Sequence, residues 1–212
     1  MAAQRFTRAA ARLVRILGED CAIVGGLAVN AHGYVRATKD VDVIVSIPLD
    51  TARRRLAEQG VRTTLFRGGD VLEGDFPCLK GVLGGVPFDV LPPLVPLDRD
   101  RLVTLKLHRL SLPIIDFETL VRLKLRAGGP KDLLDLAVLV NLRPERRERA
   151  LQLSAYDPQL RTRLLAWIDD PRVKRDIAER ALEAKLIQQE RSGPKPRRRM
   201  TDLVGKPRPP KR

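Results

Sequence analysis

The sequence is poor in the residues that build metal cages and covalent cross-links. It has two cysteines, Cys21 and Cys78, and two histidines, His32 and His108. Each cysteine sits in an apolar stretch that reads as a strand. Two of them exclude a disulfide framework and a zinc cluster, and they are read as reduced core residues. Two histidines exclude a His-rich metal site. Aromatic residues reach only 4% while apolar residues reach 43%, so Leu, Val, Ile and Ala must fill the core. The same scarcity leaves base-stacking recognition of single strands with little support. No apolar run approaches the length of a membrane span. The start, MAAQRFTRAAARLVRILGED, lacks a signal peptide's uninterrupted apolar stretch and is studded with Arg. A cytoplasmic location is the default expectation. An organelle transit peptide is the other reading of an Arg-bearing, acid-poor start, although an amphipathic first helix accounts for the same residues.

Acidic residues are also scarce, at 26 against 40 Lys and Arg, a net charge of +14. Half of that excess lies in residues 190–212, which hold nine Lys and Arg against Glu190 and Asp202. A basic balance favours polyanionic partners through phosphate contacts and counter-ion release, and a solvated, solubilising tail accounts for the same charge. From Arg191 onward Pro, Lys and Arg dominate, so residues 191–212 are expected to be a disordered basic tail.

Residues 3–18 place Phe6, Ala10, Leu13, Val14 and Leu17 on one helical face. CAIV (21–24) reads as a short strand running into Gly25-Gly26, and LAVNAHG as a short helix stopped by Gly33. VDVIVSI (41–47) is β-branched and continuous, as expected of a central strand. LDTARRRLAEQG (49–60) reads as a helix, and VRTTLF (61–66), FPCLKGVL (76–83) and VPFDVL (86–91) as strands. Gly84-Gly85 is a two-residue hairpin turn signal. RLVTLKLHRLSLPII is ambiguous and is expected to be extended. DFETLVRLKLRAG is a helix capped by Asp116 and stopped by Gly128. Pro130 opens the next helix at its first position, and three more helices are expected before the tail. The outline is an α+β fold: a mixed-sheet core over residues 1–112, flanked by helices, then a helical part over 113–190.

The chemistry is concentrated in IVGGLAVNAHGYVRATKDVDVIV (23–45). Residues two apart on a strand face one side, so Asp40 and Asp42 point together at one edge of the sheet. Carboxylates so close repel each other unless a cation sits between them. Hard oxygen ligands suit Mg²⁺, which takes its remaining ligands from water and substrate phosphates; Mn²⁺ is the alternative. Asp89, flanked by apolar residues in PFDVLP, completes a three-carboxylate site if its strand pairs beside 41–47. The bland readings are a surface Asp40, an Asp42 paired with Arg36 or Lys39, and a Gly25-Gly26 that is only a tight turn.

This ordered combination resembles the signature of the DNA polymerase β-like nucleotidyltransferase superfamily. Val24-Gly25-Gly26, Asp40-Val41-Asp42-Val43 and Phe88-Asp89-Val90 carry the resemblance. The Arg36-x-Thr38-x-Asp40-x-Asp42 form is most similar to AbiEii and MenT-like toxin-type nucleotidyltransferases. Leu123-Lys124-Leu125 with Lys131-Asp132-Leu133-Leu134-Asp135-Leu136 is similar to that group's later helical motif. The resemblance spans roughly residues 20–140. It implies that Asp40, Asp42 and Asp89 hold magnesium, and that Gly25 and Gly26 let backbone amides approach the phosphates. Lys124 would contact a phosphate, with Asp132 orienting it or the nucleotide, and Arg36 and Thr38 would bind phosphate or order the loop. A solvated basic face is the competing reading of Lys124. A favourable place in a helix's first turn is that of Asp132. Asp135 reads as a surface or pairing residue, His32 as a helix-end residue, and Trp167 as core.

The expected function is transfer of a nucleoside monophosphate from an NTP to a hydroxyl of RNA, such as a tRNA end, or of a protein. By analogy with the resembled group, the chain would be the toxin of a toxin–antitoxin pair, with an antitoxin protein as partner. The alternatives are a non-catalytic RNA- or partner-binding module of the same fold and a small-molecule transferase of the antibiotic-modifying kind.

Overall fold

The computed structural model describes residues 2–69, 75–92, 94, 96–107, 110–179 and 182. His108 and the basic tail lie outside them. Met1–Ile177 form one compact unit; of the second, Ala178–Arg212, three residues are described. The first unit is α+β and is built on one mixed, seven-stranded sheet.

The chain enters through α1 (Ala2–Leu17). Ala9, Ala10, Leu13 and Leu17 on one side are buried while Arg5, Arg8, Arg12 and Arg15 face solvent. Fully burying Leu13 and Leu17 is worth about 1.5–3 kcal/mol each. Then follow β1 (Cys21–Ile23), α2 (Gly25–Ala31), β2 (Val41–Val45) and α3 (Leu49–Glu58). The helix α2 starts at the glycine pair itself, two residues before the expected Leu27. The strands β3 (Thr63–Gly69), β4 (Asp75–Leu83) and β5 (Val86–Leu91) form an antiparallel meander. Gly84 and Gly85 both take positive φ, the backbone a tight two-residue hairpin requires. The ambiguous segment becomes a second hairpin, β6 (Val103–Leu107) and β7 (Leu110–Ile114). The sheet order is β3-β4-β5-β2-β1-β7-β6, with β2 parallel to β5 and β1 parallel to β7. The apolar run of β2 is thus central, and Val41, Val43, Ile44 and Val45 are wholly buried.

The helical part holds α4 (Phe117–Ala127), α5 (Pro130–Leu142), α6 (Arg147–Leu153) and α7 (Pro158–Asp169), and residues 171–179 are helical. Asp116 caps α4 by accepting from the amides of Glu118 and Thr119, and Gly128 ends it in the left-handed conformation. Pro130 opens α5 as expected. Helix α5 is buried on almost every side, which its run of Leu, Val and Ala explains. Trp167 packs against the same core. Cys21 and Cys78 are buried free thiols. No helix among the described residues is long and apolar enough to cross a membrane.

Candidate active site

Asp42 is the one polar side chain of β2, and its neighbours are built around it. The β1–β2 ladder continues one step beyond β1, where the Val24 amide donates to the Asp42 carbonyl at 2.9 Å. Gly25 follows in the left-handed region, at φ 58°. A Cβ at Gly25 would land on the Asp42 carboxylate, and a Cβ at Gly26 would meet the Thr38 hydroxyl at 2.6 Å. The glycine pair is therefore required by two close approaches as well as by a turn. The Gly26 amide donates to the Asp42 carboxylate, so it serves the acid directly.

The loop before β2 is equally specified. Asn30 pairs with the Arg36 backbone on both sides, its amide donating to the Arg36 carbonyl and its oxygen accepting from the Arg36 amide, each at 3.0 Å. Thr38 donates towards Asp40, 3.3 Å from its carboxylate. Asp40 itself lies in the bend just ahead of β2 rather than on the strand. Its approach to Asp42 comes from this loop and not from strand alternation alone. In the parallel register Asp42 stands directly opposite Asp89, which puts both carboxylates on one sheet face.

Burial first, then the charges of Asp40 and Asp89, pushes the Asp42 carboxyl up to about 6. The three acids are thus close enough to feel one another. Asp89 does not meet the other two as a bare anion, however. Lys80, directly opposite on β4, donates to its carboxylate at 2.8 Å. Among the described residues no three His, Cys, Asp or Glu side chains are gathered as a metal cage. Oxygen donors and accumulated negative charge fit a hard divalent cation, provided Lys80 yields Asp89 to it.

Asp40 and Asp42 open onto a cavity of about 520 Å³, in the size range of small-molecule sites. Lys124, Arg126, Lys131 and Asp132 also line it, and Phe66, Leu91 and Leu94 supply part of its apolar surface. Gly25, Gly26, Arg36 and Thr38 also line it, so every residue the sequence nominated except Asp89 is in the lining, and Asp89 is joined to it through Lys80. Lys124 is not on a solvated face. It is 8% exposed and donates to Asp132 at 2.5 Å and to Asp135 at 2.8 Å.

Asp135, expected as a surface or pairing residue, is 1% exposed. It accepts a two-pronged pair from Arg36, 2.7 Å on each oxygen, as well as the Lys124 contact. Arg36 is thereby committed to Asp135 rather than to Asp42. His32 is buried at the end of α2, 2.8 Å from the Ile115 carbonyl, and burial lowers its pKa. It is structural. Sequence reasoning missed Lys80 and Phe66. The Gly84-Gly85 turn could have found the first, because a two-residue loop pairs 83 with 86 and hence 80 with 89.

No family model matches the sequence, and no curated protein does. Among solved structures the chain is similar to a Thermotoga maritima protein provisionally named a nucleotidyltransferase. The identity is 14%, with 67% of this chain and 94% of that one covered, at a TM-score of 0.49. It is similar to a nucleotidyltransferase-like antigenic protein of Paracoccidioides brasiliensis at 20% identity, covering 81% and 97%, with a TM-score of 0.46. Similarity to ANT(2″)-Ia, solved with adenylyl-2″-tobramycin, is 10% over 79% and 97%, with a TM-score of 0.39. Likenesses this distant do not fix a family.

Proposed function

We propose that this chain is a magnesium-dependent nucleotidyltransferase that moves a nucleoside monophosphate from an NTP to a hydroxyl of RNA or of a protein. The observation that carries the proposal is the gathering of three acids and a set of cations at and beside one cavity. Asp42 and Asp89 stand side by side on paired parallel strands, Asp40 joins them from the loop, and Gly25-Gly26 closes around Asp42. The same cavity is lined by the cations Lys124, Arg126 and Lys131. Mg²⁺ or Mn²⁺ held by Asp40, Asp42 and Asp89 would neutralise phosphate charge during in-line displacement.

The chain's own groups divide the remaining work. Lys124, held in place by Asp132 and Asp135, would contact the triphosphate. Lys131, at the start of α5, lines the same cavity. Arg36 is fixed by Asp135 and orders the loop that presents Thr38 and Asp40. Asp89, once released by Lys80, accepts the proton of the attacking hydroxyl as oxygen bonds to the α-phosphorus and pyrophosphate leaves. The toxin role, with an antitoxin partner, belongs to the same proposal through the Arg36-x-Thr38-x-Asp40-x-Asp42 pattern.

The test is incubation with Mg²⁺ and each α-labelled NTP, with and without total tRNA. Label is expected on RNA or on a protein, and Asp42→Asn is expected to abolish it. Transfer retained by that variant would remove the carboxylate chemistry, and no label under any condition would favour a non-catalytic binding module.

A further inference from the structure

The sheet face that carries Asp89 extends across β4 and β3 to side chains that the proposed reaction leaves without an acceptor-binding role. Asp89, Lys80 and Phe66 lie on three successive strands, β5, β4 and β3, and share one face. Lys80 is opposite Asp89, and Phe66 is opposite Cys78, two residues along β4 from Lys80. The Lys80 ammonium is 2.8 Å from the Asp89 carboxylate and 5.0 Å from the centroid of the Phe66 ring. Phe66 is 49% exposed, although the chain has only eight aromatic residues with which to fill a core. It lines the same cavity as Asp42 and Lys80. A second cavity, of about 450 Å³ and lined by Arg12, Arg62 and Thr64 among others, shares Lys80 with the first.

We infer that Phe66 and Lys80 form the acceptor subsite, and that the acceptor it takes is a nucleotide. The row offers a hydroxyl-accepting carboxylate, a cation and a flat apolar ring within the span of one nucleotide. A base can stack on the ring of Phe66, since every base has a π-face. A phosphate competes with Asp89 for the Lys80 ammonium. Drawing the ammonium aside also uncovers the ring for the base and frees Asp89 for the sugar hydroxyl. A cationic amine-bearing acceptor meets the wrong charge here, because Lys80 neutralises the carboxylate that would attract it. A peptide hydroxyl has no use for the ring. Arg12 and Arg62 around the second cavity supply cations for the phosphates of a longer strand. The inference rests on the proposed transfer reaction only for the role of Asp89; binding at Phe66 and Lys80 is independent of turnover.

The experiment is fluorescence anisotropy of a 5′-labelled single-stranded RNA hexamer with the full chain in EDTA, where no transfer occurs. Free AMP, tobramycin and a serine-containing peptide serve as competitors. Phe66→Ala is expected to weaken RNA binding roughly 5- to 150-fold, the effect of losing one base–aromatic stack. Phe66→Tyr is expected to restore binding. Lys80→Met is expected to weaken binding and to reduce the salt slope by about one phosphate contact. Displacement by AMP as effectively as by unlabelled RNA assigns the subsite to a free nucleotide; displacement by RNA alone assigns it to a strand end. Wild-type affinity in both Phe66→Ala and Lys80→Met overturns the inference, as does absence of RNA and AMP binding or preferential displacement by tobramycin or the peptide. Binding as expected, with no labelled NTP transferred to any acceptor, would leave the subsite standing and sink the transferase reading instead.

Discussion

Asp42 carries a conflict between folding and function that can be measured. Its pKa is raised from the ordinary carboxylate value to about 6, chiefly by burial. A carboxyl whose folded pKa lies above its unfolded one binds its proton more tightly when folded. Its ionisation therefore begins to destabilise the fold above about pH 4, and the full cost is in place above about pH 6. A rise of that size corresponds to about 3 kcal/mol. Asp42→Asn has nearly the same shape and cannot ionise. It is expected to raise the midpoint of urea unfolding at pH 7, with the gain shrinking to nothing below about pH 4, while abolishing transfer. An equal midpoint at pH 7 would show that the acid is not held against its solvation. Gly25 is bound to the same acid. Gly25→Ala must adopt a left-handed backbone, costing about 1–3 kcal/mol, and must push the Asp42 carboxylate away. Loss of transfer together with a lowered midpoint is expected; unchanged kinetics would mean the carboxylate has no fixed place.

At the scale of elements, Asp135 joins the loop before β2, helix α4 and helix α5. It is buried in α5 and takes Arg36 from the loop and Lys124 from α4. Removing one partner of a buried charge set leaves the others uncompensated, which costs about 3–5 kcal/mol. Asp135→Ala is expected to lose that much by urea denaturation and to raise the KM for NTP, because Lys124 and the Arg36 loop lose their anchor. A loss below about 1 kcal/mol would mean that α4 and α5 hold their places by apolar packing alone. The order of elements was legible because periodicity, caps and turn residues agree: Asp116, Gly128, Pro130 and Gly84-Gly85 each stand where the chain turns or a helix begins or ends. The lining of the main cavity around Asp42 was legible because glycines and carboxylates mark it in a fixed order. The Asp135 hub was not, since an acid in an amphipathic helix and an acid inside a bundle look alike until the helices pack. The extended character of 103–114 was legible, since Val103, Leu105, Leu110, Leu112 and Ile114 alternate with Thr104, Lys106, Ser111 and Pro113, but its folding into two strands was not, because no Gly or Asn marks a turn between them. Phe66 was missed because VRTTLF reads as a strand whichever of its faces is left exposed.

At the scale of the whole molecule the question is what the positive charge does. Residues 190–212 carry nine cations against two acids, half of the net +14, yet the cavity and its acids lie entirely within Met1–Ile177. Such charge can raise affinity for a polyanion through counter-ion release without taking part in the chemistry. A chain ending at Gln189 is therefore expected to unfold within about 2 °C of the full-length protein, less than the shift that 1 kcal/mol would make. It is expected to use each NTP as before, and to bind the RNA hexamer more weakly with a shallower dependence on salt. Differential scanning fluorimetry and the same anisotropy titration at 50 and 200 mM salt separate these effects. An unchanged salt slope would return the tail to the role of a solvated appendage. A large fall in unfolding temperature would instead show that residues 190–212 pack on the rest of the protein. The remaining salt slope of the truncated chain then reports on the cations near the cavity, where Lys80→Met should remove about one further phosphate contact if the acceptor approaches across β4.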